Sequence, residues 1–216
     1  MRVIVGGTFD PIHHGHLRMA IELRERLGLA DVSLVPCHLP PHRGEPGASA
    51  DQRLAMLNAA IRDEPGLTVD RRELARHRPS YTVDTLASIR SEIGDDEPLA
   101  MVTGTDSFAA IDRWHQWPRL LELAHIIVVE RPGHDIPAGS VADRLLADHR
   151  SVGADFLERT PSGGVWSVSL PPLSISATDI RLALREGRSA RYWLPDDVLA
   201  LIQDQRLYSP SSDGGE

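Results

Sequence analysis

His13 and His16 stand three residues apart in the stretch Gly6-Gly7-Thr8-Phe9-Asp10-Pro11-Ile12-His13-His14-Gly15-His16, which follows the run Arg2-Val3-Ile4-Val5 directly. Residues three apart share a helix face, so two imidazoles at this spacing converge on one group of oxygens. An imidazole can donate a hydrogen bond to negative charge developing on phosphorus, and its pKa is easily tuned near neutrality. Gly6 and Gly7 carry no side chains, which lets backbone N–H groups approach a ligand closely. A helix starting near His14 or Gly15 aims its unpaired N–H groups and the positive end of its dipole into the same space, an anion site. H-x-x-H spacing also occurs in metal sites, where Asp10 could supply a third ligand. Neither G-x-x-x-x-G-K-[ST] nor G-x-G-x-x-G is present.

A second candidate lies far along the chain, in Ile175-Ser176-Ala177-Thr178-Asp179-Ile180-Arg181. Ser176 with Asp179 three residues on has N-cap spacing, and Ile180, Ala183 and Leu184 supply an inward helix face. A well-capped helix is sufficient explanation for the local pattern. Its chemical reading is a second helix start aimed at phosphates, with the Ser176 and Thr178 hydroxyls as donors. The planar Arg181 guanidinium, always charged, matches phosphate oxygens.

The elements that must position these residues are legible from periodicity. Arg2–Val5, Val32–Val35, Leu67–Val69, Leu99–Val102, Ile126–Val129 and Val165–Leu170 read as strands. Helical faces lie between them: Leu17, Ala20, Ile21 and Leu27 ending at Gly28; Leu54, Leu57 and Ile61 behind a capping box at Ser49; Leu86, Ile89 and Ile93 in a helix beginning at Thr82 and ending before Gly94; and Val198, Leu201 and Ile202 after Pro195. The alternation predicts an α/β fold, Rossmann-like and doubly wound, with a mainly parallel sheet and helices on both faces. Ligands of such sheets bind at the C-terminal strand ends. We read residues 1–208 as one domain, with Pro36–Ser49 and Arg131–Ser140 as surface segments and 209–216 as a flexible tail.

Composition narrows the partners. The 216 residues carry 23 basic and 31 acidic side chains, a formal net charge of −8, with 41% hydrophobic and 25% charged residues. An acidic total argues against a nucleic-acid surface, which needs a basic stripe. No run approaches the ~20 apolar residues of a membrane span, and Cys37 is the single cysteine. We therefore expect a cytoplasmic protein that binds neither nucleic acid nor membrane. Every basic residue is arginine, so a phosphate clamp cannot use lysine.

His13-His14-Gly15-His16 resembles the H-x-G-H signature of a nucleotidyltransferase superfamily, and Ser176-Ala177-Thr178-Asp179-Ile180-Arg181 resembles its closing S-x-T-x-x-R signature. Many relatives carry a serine at the place of Ala177. Pro40-Pro41-His42-Arg43, Pro79-Ser80-Tyr81-Thr82, Gly104-Thr105-Asp106 and Trp114-His115-Gln116-Trp117 are, in that order, similar to the bacterial nicotinate-nucleotide adenylyltransferases. The resemblance extends over Met1 to Tyr208. It implies transfer of the adenylyl group of ATP to nicotinate mononucleotide, giving deamido-NAD and pyrophosphate in NAD synthesis. Mg²⁺ would be bound mainly through the ATP phosphates, with no metal held by the protein alone.

On that resemblance Gly6, Gly7, Thr8, Phe9, Arg43, Gly104, Asp106, Ser176 and Thr178 face ATP. His13, His16 and Arg181 are the catalytic set, with His16 on the α-phosphoryl oxygens. Tyr81, Thr82, Trp114 and His115 receive the nicotinate nucleotide. A pyridinium carboxylate wants a flat aromatic surface and uncharged donors. Trp114 offers the first and Thr82, read as a helix N-cap, the second. Two further readings stand beside this one: transfer to another acceptor (nicotinamide mononucleotide or phosphopantetheine), and a nucleotide-sensing module without turnover.

Overall fold

β1 (Arg2–Gly7) and α1 (His14–Arg26) open the chain, followed by β2 (Val32–Pro36), α2 (Ala50–Ile61), β3 (Leu67–Val69) and α3 (Thr82–Ile93). The second half runs through β4 (Leu99–Gly104), α4 (Thr105–Phe108), α5 (Leu120–Leu123), β5 (His125–Val129), α6 (Val141–Asp148) and α7 (Ala154–Arg159). It closes with β6 (Val165–Val168), α8 (Ala177–Arg185) and α9 (Asp196–Asp204). This computed structural model describes residues 1–40, 44–76, 79–131, 133–151, 153–171 and 173–209; Arg43 and residues 210–216 lie outside it.

The six strands form one parallel sheet in the order β3-β2-β1-β4-β5-β6. Strand side chains alternate between the two faces, and both faces are buried. Val3 and Val5 of β1, Ala100 and Val102 of β4, and Ile127 and Val129 of β5 join a core with α1, α2, α8 and α9. Ile4, Leu99, Met101, Ile126 and Val128 point the other way, into a second core with α3, α5 and α6. The expected doubly wound α/β fold is therefore the observed one. Strand order reverses between β1 and β4, which opens the crevice where such sheets take their ligands.

Local signals account for most element ends. Gly28 (φ +58°) and Gly94 (φ +82°) follow α1 and α3 with the left-handed backbone that glycine adopts most readily. Ser49 and Gln52 form the reciprocal capping box at α2. Two expectations need correction. Of the expected α2 face Leu54, Leu57 and Ile61, Leu57 is buried and Ile61 packs partly buried on the core, but Arg53 and Met56 take the inward positions in place of Leu54. At α3 the N-cap is Tyr81, and Thr82 is the first helical residue with no side-chain cap bond.

Candidate active site

The β1–α1 connection is built around two glycines. A Cβ on Gly7 would come 2.9 Å from the Phe9 ring, and one on Gly15 would come 3.0 Å from the His13 ring and 3.5 Å from the Ile175 carbonyl. Gly7 thus lets Phe9, at φ +50°, fold back into the core, where it is 2% exposed. Gly15 lets His13 lie on the first turn of α1 while the segment entering α8 abuts it. His13 is itself the N-cap of α1 and supplies no side-chain cap. The His14 N–H donates to the Trp193 carbonyl and the His16 N–H to the His13 carbonyl, which leaves the Gly15 N–H as the donor of the first turn that faces another acceptor.

The two imidazoles stack, centroids 3.7 Å apart at 26°, and Phe9 meets the His16 ring edge-on at 5.1 Å. Nδ1 of both histidines is buried without a hydrogen-bond partner. Burial, then the nearby Arg131 guanidinium, then His14 lower the His13 pKa to about 4. Burial, His13 and Arg131 hold His16 well below its ordinary value. Burial thus favours the neutral form of both rings, and each leaves one buried nitrogen without a partner.

Cations approach from two sides. Arg131 follows β5, lies 3.8 Å from the Asp106 carboxylate, and donates its backbone N–H to Thr105 Oγ1. Gly104 permits this fold-back: a Cβ there would sit 2.7 Å from Asp106 Oδ1. From α8, Arg181 Nη1 donates to the Asp10 carbonyl at 2.7 Å and Nη2 reaches Thr178 Oγ1 at 3.5 Å. The Ser176 hydroxyl accepts from the Asp179 N–H and donates to the Asp179 carboxylate, so its local state is a helix cap.

Asp10 is engaged by groups other than the two imidazoles. Its carboxylate accepts from the Gly47 and Ala48 N–H groups and from the Tyr208 hydroxyl. Among the described residues no three His, Cys, Asp or Glu side chains gather so as to hold a metal ion.

A second group of residues is tied to the same edge through β2. The Cys37 N–H donates to Gly7 O, the His38 N–H to Ser80 Oγ, and the Ser80 N–H to Leu39 O. That lattice carries Tyr81, whose ring lies 4.3 Å from the exposed His115 ring. Tyr81 and Trp114 both pack, partly exposed, on the second core. Arg53 fixes the floor: fully buried, it donates to the carbonyls of Thr8, Cys37, His38 and Ala48.

Of the expected site residues, the structure brings Gly7, Phe9, His13, His16 and the α8 start with Thr178 and Arg181 to the end of β1. Gly104 and Asp106 join them through Arg131. Tyr81, Trp114 and His115 form a separate group, with Thr82 opening α3. Sequence reasoning missed Arg131 and Arg53. Neither position declares its partners locally: Arg131 follows a strand at the ligand-binding edge, and Arg53 shares the α2 face with Met56 and Leu57.

Residues 4–183 match the Cytidylyltransferase-like family model. A probable nicotinate-nucleotide adenylyltransferase from Marinobacter nauticus is 51% identical over 208 residues, 96% of each chain. The chain belongs to the nicotinate-nucleotide adenylyltransferase family. A second member, from Cellvibrio japonicus, is 48% identical over 95% of this chain and 97% of its own. Among solved structures, the Plasmodium falciparum nicotinic acid mononucleotide adenylyltransferase complexed with NaAD superposes with a TM-score of 0.72, at 18% identity, over 95% of this chain and 96% of that one. That likeness establishes the shared fold. The H-x-G-H and S-x-T-x-x-R segments here meet at one sheet edge. No described helix is long and apolar enough to cross a membrane.

Proposed function

We propose that the protein transfers the adenylyl group of ATP to nicotinate mononucleotide, releasing pyrophosphate and forming deamido-NAD. The observation that carries this reading is the stacked, neutral His13–His16 pair at an uncapped helix start, with Arg131 and Arg181 beside it at the β1/β4 switch point. The relatives at 51% and 48% identity bear names of that activity.

The acceptor's phosphate oxygen attacks the α-phosphorus in line, and pyrophosphate leaves opposite. The attacking phosphate is already ionised at neutral pH, so no general base and no covalent enzyme intermediate are needed. What remains for the protein is positioning and stabilisation of charge. His16 donates to the α-phosphoryl oxygens as charge builds there, and His13 to the neighbouring phosphate oxygens. Arg181 and Thr178 hold the leaving pyrophosphate, Arg131 steadies the negative charge from the β5 side, and Asp106 accepts from ribose hydroxyls. Mg²⁺ would be held mainly by the ATP phosphates and would offset their charge, while the Asp10 carboxylate already accepts from Gly47, Ala48 and Tyr208.

On the acceptor side Trp114 offers the stacking surface for the pyridine ring. The first turn of α3 after Tyr81, with no side-chain cap, offers uncharged N–H donors for the carboxylate. Donors suit an acid better than an amide. Water-soluble nucleotide substrates and a single cysteine support a cytoplasmic location for the reaction. The test is pyrophosphate release from MgATP with nicotinate mononucleotide, nicotinamide mononucleotide and phosphopantetheine in turn. Fastest release with the first is expected. Preference for another acceptor would overturn the assignment, and nucleotide binding without release would point to a sensor.

A further inference from the structure

Asp10 is shared by segments far apart in sequence. Its Oδ2 accepts from the Gly47 N–H at 2.8 Å, and its Oδ1 from the Ala48 N–H at 3.0 Å and the Tyr208 hydroxyl at 2.6 Å. Its carbonyl accepts from Arg181 Nη1 at 2.7 Å, while the carboxylate stays 3.8 Å from that same nitrogen. Asp10 is 6% and Tyr208 7% exposed. Tyr208 adopts φ +56°, uncommon for a residue with a Cβ. Its ring covers Gly47 so closely that a Cβ there would come within 3.0 Å. An unfavourable backbone state and a close ring contact together deliver one hydroxyl to one carboxylate oxygen.

We propose that Tyr208 and Asp10 form a positioning pair that keeps Arg181 available for phosphate, acting on the ATP half of the reaction and not on the acceptor half. The proposal rests on the adenylyl-transfer reading. Arg181 is anchored by the Asp10 carbonyl and by a longer contact to Thr178, so it follows the Asp10 peptide. The two amides and the Tyr208 hydroxyl hold the carboxylate short of a close ion pair with Arg181. Removing the hydroxyl leaves Oδ1 with the Ala48 N–H alone. The carboxylate then turns toward Arg181, and the guanidinium charge is spent on Asp10 instead of on phosphate. Tyr208 packs in the core with α1, α8 and α9, whereas Tyr81 and Trp114 pack on the opposite core, so the acceptor side is spared.

Tyr208→Phe keeps the ring on Gly47 and deletes only the hydroxyl. We expect kcat/KM for MgATP to fall about tenfold, KM for nicotinate mononucleotide to stay within about twofold, and Tm to move by no more than about 5 °C. Asp10→Asn keeps the shape but cannot accept all three donors with one amide oxygen, and loses more on the same parameter. Titration of a non-hydrolysable ATP analogue by calorimetry reads the same effect without turnover, with about tenfold weaker binding expected in Tyr208→Phe. Unchanged MgATP kinetics and analogue affinity in Tyr208→Phe would overturn the proposal. So would a loss shared equally by both substrates, the mark of a merely structural role. If the wild type releases no pyrophosphate with any acceptor, the functional reading fails, and the analogue titration alone decides the pair.

Discussion

The His13 and His16 imidazoles lie face to face, ring centres 3.7 Å apart and planes 26° from parallel, with Nδ1 of each buried and unpartnered. Two imidazolium cations would repel at that separation, so the stack is a neutral arrangement, and Arg131 reinforces it.

Stability should therefore depend on pH through these rings. The folded state holds His13 at about 4, and unfolding returns it toward its ordinary 6.5. Between those values the unfolded chain binds more protons, so stability falls as pH drops through the window and is unaffected above it. The loss from His13 approaches roughly 3 kcal/mol below pH 4, and His16 adds in the same direction. Denaturant unfolding at pH 7.5, 6 and 4.5 checks this, with His13→Gln expected to flatten the slope. A wild-type profile no steeper than that variant's would refute it.

Replacing His16 should separate binding from chemistry. In His16→Ala a bond made mostly in the transition state is lost, so kcat should drop about 10²–10³-fold with KM for MgATP within about threefold. Steady-state kinetics decide. A large KM effect with kcat preserved would assign His16 to ground-state binding instead.

The strands and most helix ends were legible in the sequence because they depend on local chemistry: β-branched runs, glycine after α1 and α3, the Ser49 capping box. The site was half legible. His13, His16 and Arg181 could be named because their types and spacing declare phosphate chemistry. Arg53 could not, since a guanidinium reads as solvated until four backbone carbonyls from two connections are seen to enclose it. Arg131 and Tyr208 were hidden for the same reason. Their roles come from partners 26 and 198 residues away, Thr105 and Asp10, a relationship that periodicity does not encode.

Gly15 sets stability against geometry. Alanine is the better helix former by about 1 kcal/mol, yet its Cβ would press within 3.0 Å of the His13 ring. Gly15→Ala should hold or raise Tm while lowering kcat at least about tenfold, because the displaced ring no longer stacks on His16. Thermal melts and turnover on one preparation test both halves. A variant with full activity would show that His13 can move without consequence.

Arg131 is expected to work through charge. It lowers the pKa of both histidines, ranking behind burial for His13 and behind burial and His13 for His16. Half of its side chain is exposed, so solvent screens the effect. Arg131→Ala should raise both imidazole pKa values by less than about one unit and weaken MgATP binding, because on the adenylyl-transfer reading the same guanidinium would meet the phosphates. An imidazole NMR titration with and without nucleotide reads both consequences. Unshifted rings together with wild-type affinity would leave Arg131 as no more than a partner for Asp106.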